Sequence, residues 1–332
     1  MTHRLTIGKI RGLQQIADPA GIMAMCAMDH RDSLQRLIDP GAPERMTDQT
    51  LVTYKRDLTE MLAPESTAVL LDPLYGAAQS IAAGVLPGNV GLLVSLEESG
   101  YEQAAQGRVT TLLPDWSVER IKRMGASAVK VLLYYRPDMA ENAANQQAVT
   151  RRVAEDCRRA DLPFLLEPIA YPVDERGRER AHFAQRKTEL VVESARQLTQ
   201  LGIDVLKAEF PADLRFEKDA QRLRAACEQL NDAATVPWIL LSAGVSFDDF
   251  ALQVKTACQA GASGFLGGRA IWDEATHLPD ARERRRWLGT VGAERIRRLR
   301  AIATEFGRPW WKKWGEQVSE LVDVPTDWYH RY

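Results

Sequence analysis

The 332-residue chain has no long hydrophobic run. Nothing approaches the ~18–20 apolar residues that span a bilayer. The apolar stretch 21–28 is short and runs straight into charge, so neither a membrane anchor nor a secretory leader is expected. Cysteine is scarce. Cys26, Cys157, Cys227 and Cys258 contain no CxxC pair, and the last three fall in segments that read as helices. That pattern excludes a disulfide framework and points to reduced thiols in a cytoplasmic protein. The histidines His3, His30, His182, His277 and His330 lack the spacing of a metal site, so neither metal nor cofactor is expected. A net charge of -2 gives no reason to expect nucleic acid or an anionic membrane as partner. Arg282, Arg284, Arg285, Arg286, Arg295, Arg297, Arg298 and Arg300 are interleaved with Glu283 and Glu294 at helical spacing, which favours a solvated helix face. Linkers, low-complexity stretches and solenoid-period repeats are also missing.

What is present is an alternation. Short apolar runs cover residues 22–29, 67–72, 90–96, 128–135, 163–170, 204–210, 238–243 and 264–268, separated by longer amphipathic segments. Several runs are almost continuously apolar, as parallel strands covered on both faces are. Between them, Leu190, Val191, Ser194, Leu198 and Leu201 share one helical face, Ser246 reads as an N-cap, and Gly202 and Gly261 sit where left-handed C-caps fall. Eight β-then-α units predict an α/β fold, a (β/α)8 TIM barrel with an extra C-terminal helical segment. A doubly wound open sheet is the rival, but Asp29-His30-Arg31-Asp32 is not its Gly-rich phosphate turn. One domain spanning residues 1–332 is expected. Within it, residues 281–332 form a basic helix and a tail with Trp310, Trp311, Trp314 and Trp328, expected to pack on the barrel.

Barrel enzymes work at the C-terminal ends of their strands. The polar residues there are Asp29, His30 and Arg31 after the first run, Lys130 in the fourth, Glu167 in the fifth, and Lys207 with Glu209 in the sixth. Lysine and glutamate are rarely buried without a partner. Desolvation and a second ammonium both disfavour a protonated amine, drawing a lysine from ~10.4 toward the ~7–8 that suits catalysis. A neutral amine attacks a carbonyl, and the resulting iminium accepts the electrons of a breaking carbon–carbon bond. The plainer reading is a structural ion pair inside the barrel. Ser242, Gly244, Gly267, Gly268 and Arg269 close the seventh and eighth runs, where barrel enzymes commonly bind phosphate, although ordinary tight turns read the same way.

Together, Met28-Asp29-His30-Arg31, the 129–135 segment around Lys130, Leu166-Glu167, the 204–211 segment around Lys207, Leu241-Ser242-Ala243-Gly244-Val245 and Gly268-Arg269-Ala270-Ile271-Trp272 resemble the tagatose 1,6-diphosphate aldolase family, within the deoxyribose-phosphate-type class I aldolases. The resemblance spans about residues 20–320. It implies a metal-independent Schiff-base lyase that cleaves a ketohexose bisphosphate to dihydroxyacetone phosphate and an aldehyde such as glyceraldehyde 3-phosphate. By the same likeness Lys207 is the Schiff-base lysine, Lys130 the second lysine, Glu167 the carboxylate acting on the C4 hydroxyl, and Asp29 the acid ending the first strand. Ser242, Gly244, Gly268 and Arg269 would hold the phosphate nearest the carbonyl, and Arg31 would lie toward the far end. The family usually has Gln where this chain has His30, which leaves open whether the far group is phosphate or sulfonate. A sulfofructose-phosphate aldolase, a transaldolase, and a non-catalytic sugar-phosphate sensor remain alternatives. A homo-oligomer is expected.

Overall fold

The computed structural model describes residues 5–104, 107–173 and 177–330; His3 falls outside them. The strands are β1 (Met23–Ala27), β2 (Ala68–Leu71), β3 (Gly91–Ser95), β4 (Glu102–Ala104), β5 (Gly107–Val109), β6 (Ala128–Tyr134), β7 (Phe164–Ile169), β8 (Val205–Ala208), β9 (Trp238–Leu241) and β10 (Gly264–Gly267). All except β4 and β5 join a closed parallel barrel in chain order, with β10 returning to β1. Each apolar run read from the sequence contains one barrel strand. The antiparallel hairpin β4–β5 was not expected from the sequence; it interrupts the alternation between β3 and β6.

The helices are α1 (Ile7–Ile16), α2 (Asp32–Ile38), α3 (Asp48–Leu62), α4 (Ala77–Ala82), α5 (Val118–Arg123), α6 (Ala140–Arg159), α7 (Gly177–Leu198), α8 (Ala220–Ala233), α9 (Phe247–Gln259), α10 (Arg269–Trp272), α11 (Ala281–Trp287) and α12 (Ala293–Phe306). Ser246 caps α9 by accepting from the Asp249 amide, as its position predicts. Gly202 and Gly261 both adopt positive φ. α7 stops short of Leu201. All four cysteines are free and buried.

Strand side chains alternate between the barrel interior and the helices. Ala24, Cys26, Val69, Val94, Val129 and Leu166 face outward and join the helix-covered core. Met25, Ala27, Leu70, Leu93, Ala128, Leu165, Val205 and Ile239 belong to a second cluster inside the barrel, with Leu13 and Ile16 of α1 beneath them. α1 closes the N-terminal end. Lys9 holds Asp204 at 2.8 and 2.9 Å, and the Thr67 hydroxyl donates to the Ile16 carbonyl. The tail completes this cap. Trp310 is buried, its amide donates to Gly21, and Leu5 donates to Leu321. Trp314 donates its indole N–H to the Thr235 carbonyl. The C-terminal mouth is left for chemistry.

The basic segment is held by acids. Arg284 and Arg285 pair with Asp57 and Glu60 of α3, and Arg295 pairs with Glu274.

Candidate active site

The two-residue period carries the inner face upward from apolar to charged. Asp29 lies two past Ala27, Lys130 two past Ala128, Glu167 two past Leu165 and Lys207 two past Val205. All four therefore project into the barrel one layer above the apolar filling. The structure brings them into contact. Lys130 Nζ lies 2.8 Å from Asp29 Oδ2 and 3.1 Å from Glu167 Oε2. Lys207 Nζ lies 2.8 Å from Glu167 Oε1. One carboxylate thus spans both amines.

A fifth member escaped the sequence reading. Glu97 follows β3, and its Oε1 accepts from Lys130 Nζ at 2.5 Å. The signal that finds it is parity: Glu97 is in phase with Leu93 and Ser95, but it lies beyond the last paired residue of its strand.

These groups line a cavity of about 180 Å³ at the mouth, together with His30, Arg31, Ser33, Arg36 and Tyr134. Arg31 is buried and donates to the Glu97 carbonyl at 2.6 Å. His30 sets its ring edge-on to Trp272, with centroids 5.1 Å apart. Its Nδ1 is buried without a hydrogen-bond partner among the described residues.

The charges are strongly conditioned. Burial opposes the Lys130 ammonium, but Asp29, Glu167 and Glu97 outweigh it and raise its pKa well above the usual lysine value. This corrects the expectation of a lowered strand lysine at Lys130, where three carboxylates dominate desolvation. Burial also opposes the Asp29 and Glu167 charges, and the two lysines outweigh it, holding both carboxyls below their ordinary values. Glu97 goes the other way: burial, reinforced by Asp29, raises it. Burial pushes His30 down to about 4, which leaves a neutral ring at pH 7.

Ser242, Gly244, Gly268 and Arg269 come together at the seventh and eighth strand ends, and their loop reaches His30 of the cavity. The Gly268 amide donates to Ser242 Oγ at 3.2 Å. Ala243 and Gly244 have φ of 47° and 72°, a left-handed turn that strains the alanine. A side chain on Gly244 would meet the Arg269 guanidinium carbon at 3.0 Å, so Arg269 lies across the turn. A side chain on Gly268 would meet His30 Cε1 at 2.9 Å, which sets His30 against the same loop. Gly267 faces outward, against Phe250 and Ile271. Glu209 accepts from the Ala170 amide and lies 3.6 Å from Lys187, outside the cavity.

A closed parallel barrel with two lysines and three carboxylates at its mouth carries groups suited to cleaving a carbon–carbon bond, and this protein is a class I aldolase. Residues 23–274 match the DeoC/LacD family aldolases, and the chain belongs to that family. It is 33% identical over 331 residues to tagatose 1,6-diphosphate aldolase of Listeria monocytogenes, covering 94% of this chain and 96% of that one. It is 32% identical over 315 residues to tagatose 1,6-diphosphate aldolase 1 of Enterococcus faecalis, covering 90% and 95%. A solved fructose-bisphosphate aldolase from Plasmodium falciparum shares the fold, with TM-score 0.72 at 14% identity over 92% of this chain and 98% of that one. Among the described residues, no helix is long and apolar enough to cross a membrane.

Proposed function

We propose that this aldolase cleaves a ketohexose bisphosphate, tagatose 1,6-bisphosphate foremost, to dihydroxyacetone phosphate and glyceraldehyde 3-phosphate, with Lys207 as the Schiff-base lysine. The observation that carries this reading is the contact chain Lys207–Glu167–Lys130 at the mouth of the barrel.

In this scheme Lys207 passes a proton to Glu167 and its nitrogen attacks the C2 ketone. The carbinolamine loses water to give an iminium, and the Lys130 ammonium beside it provides the proton that the departing hydroxyl needs. Glu167 returns the proton it took from Lys207 to Lys130 across their 3.1 Å contact, and, ionised again, accepts the C4 hydroxyl proton as the C3–C4 bond breaks. The C4 aldehyde leaves, and the bonding pair moves through C3 to the iminium nitrogen as an enamine. Protonation at C3 and hydrolysis release dihydroxyacetone phosphate and restore the amine. Asp29 and Glu97 hold Lys130 in place and charged. The Ser242, Gly244, Gly267, Gly268 and Arg269 turns take the phosphate on C1, where backbone N–H groups and a guanidinium suit an anion. Arg31 and Arg36, on the cavity wall, suit the far anion. His30 presents a neutral ring between them.

The names of the 32–33% identical relatives support tagatose 1,6-bisphosphate as substrate. A cytoplasmic homo-oligomer working as one barrel unit fits the free cysteines and the exposed Tyr329 of the tail. The test is a panel of tagatose 1,6-bisphosphate, fructose 1,6-bisphosphate and sulfofructose 1-phosphate, with release of dihydroxyacetone phosphate followed with and without a chelator and an acceptor aldehyde. Fastest release from the tagatose substrate, unaffected by chelator, is expected. Release from the sulfonated substrate alone would reassign the far group.

A further inference from the structure

One buried charge near the mouth takes no part in this scheme. Lys55 of α3 is fully buried, and so is Asp72, which follows β2. Lys55 Nζ donates to the Met28 carbonyl and to the His30 carbonyl, each at 2.7 Å, and ion-pairs with Asp72 Oδ1 at 2.5 Å. The other Asp72 oxygen accepts from the Leu74 and Tyr75 amides. The two carbonyls flank Asp29.

The ladder explains why they need a partner. β1 pairs with β10 only as far as Cys26 and with β2 only as far as Ala27. Beyond it Met28 still donates to Leu70, but Asp29 lies two residues past the last ladder pair. Its carboxylate must nevertheless meet Lys130 at 2.8 Å. An ammonium removed from water is costly even when paired, and a well-packed apolar side chain serves stability as well. The charge here is explained by what it holds.

We infer that Lys55 is a positioning residue, a buried cationic pin that fixes backbone 28–30 and thereby places the Asp29 carboxylate and the His30 ring. This rests on the aldolase scheme above. Asp72 orients the ammonium toward the two carbonyls.

The test compares the parent with Lys55→Met/Asp72→Asn, Asp29→Asn and the triple variant, assayed on tagatose 1,6-bisphosphate. In the double variant the carboxamide oxygen introduced at position 72 still accepts from the turn amides, and no lone charge is buried. A placement error near 1 Å costs about 10²-fold, so kcat should fall by about that much while KM stays within ~3-fold. In the Asp29→Asn background the same two changes should cost less than ~3-fold, because residues acting as a unit are not additive. A crystal structure of the double variant should show the Asp29–Lys130 contact opened. Parent-like kcat with that contact intact would overturn the pin, as would the full loss repeated in the Asp29→Asn background. Should the double variant not fold, Lys55→Gln/Asp72→Asn restores a donor to the carbonyls and carries the same pattern at smaller amplitude. Failure of the parent to cleave any substrate would strike the aldolase scheme, whereas the Asp29–Lys130 distance judges the pin on its own.

Discussion

Glu167 lies 2.8 Å from Lys207 and, through its other oxygen, 3.1 Å from Lys130. A proton leaving either amine therefore finds the same acceptor. Glu167 is held below the ordinary carboxylate range, and so it is ionised and ready to accept before substrate arrives.

Glu167→Gln keeps the size of the side chain and removes its basicity. Cleavage should slow by about 10²–10⁴-fold, the usual loss for a general acid–base group. Steady-state assay of dihydroxyacetone phosphate release checks this, and normal turnover would remove Glu167 from its role.

Glu97 gives a pH signature of opposite sign to its neighbours. Burial raises its pKa, so the native chain binds this proton more tightly than the unfolded chain does. Its contribution to stability is full at low pH and declines as pH climbs from the unfolded value toward the native one. Asp29 and Glu167, held low, contribute above the ordinary carboxylate range and lose that contribution as pH falls. Glu97→Gln removes only the first effect. The difference in denaturation midpoint, variant minus parent, should grow as pH rises above the ordinary glutamate value of about 4.3. A difference that shrinks over that range would contradict the assignment.

Gly244→Ala places a methyl group at a φ of 72°, within 3.0 Å of the Arg269 guanidinium. The left-handed penalty is about 1–2 kcal/mol, and Arg269 must move. The KM for the bisphosphate should rise by roughly tenfold, in line with about 1.4 kcal/mol of lost binding, while trapping of an unphosphorylated ketone changes little. An unchanged KM would separate this turn from phosphate binding.

Trp310→Ala tests the cap at the other end of the barrel. Trp310 is 1% exposed among α1 and tail side chains. Its truncation should cost about 3–5 kcal/mol, seen in chemical denaturation, with kcat preserved at temperatures where the variant is folded. Loss of kcat in a folded variant would show that the cap reaches the mouth.

The barrel was legible because each strand is buried on both faces, which makes its sequence nearly continuous in apolar residues. Lys130, Glu167 and Lys207 stood out as the charges inside those runs. Glu97 did not, because it follows its run, where a charged residue looks like the start of a loop. Lys55 sits on a helix among residues that read as an ordinary amphipathic pattern, and only the folded loop supplies the carbonyls it meets. The direction of the Lys130 shift was not readable either, since it depends on three carboxylates that converge from separate strands. α1 is a short element whose burial partners lie far away in the chain, and β4–β5 is a hairpin of three-residue strands, with β4 largely exposed, that carries no apolar run to read.

The central claim is that Lys207 forms the bond to substrate. Incubation with dihydroxyacetone phosphate and borohydride, followed by peptide mass mapping, tests it directly. The account predicts one reduced adduct, on Lys207, absent from Lys207→Ala. An adduct on Lys130, or none on either lysine, would contradict it.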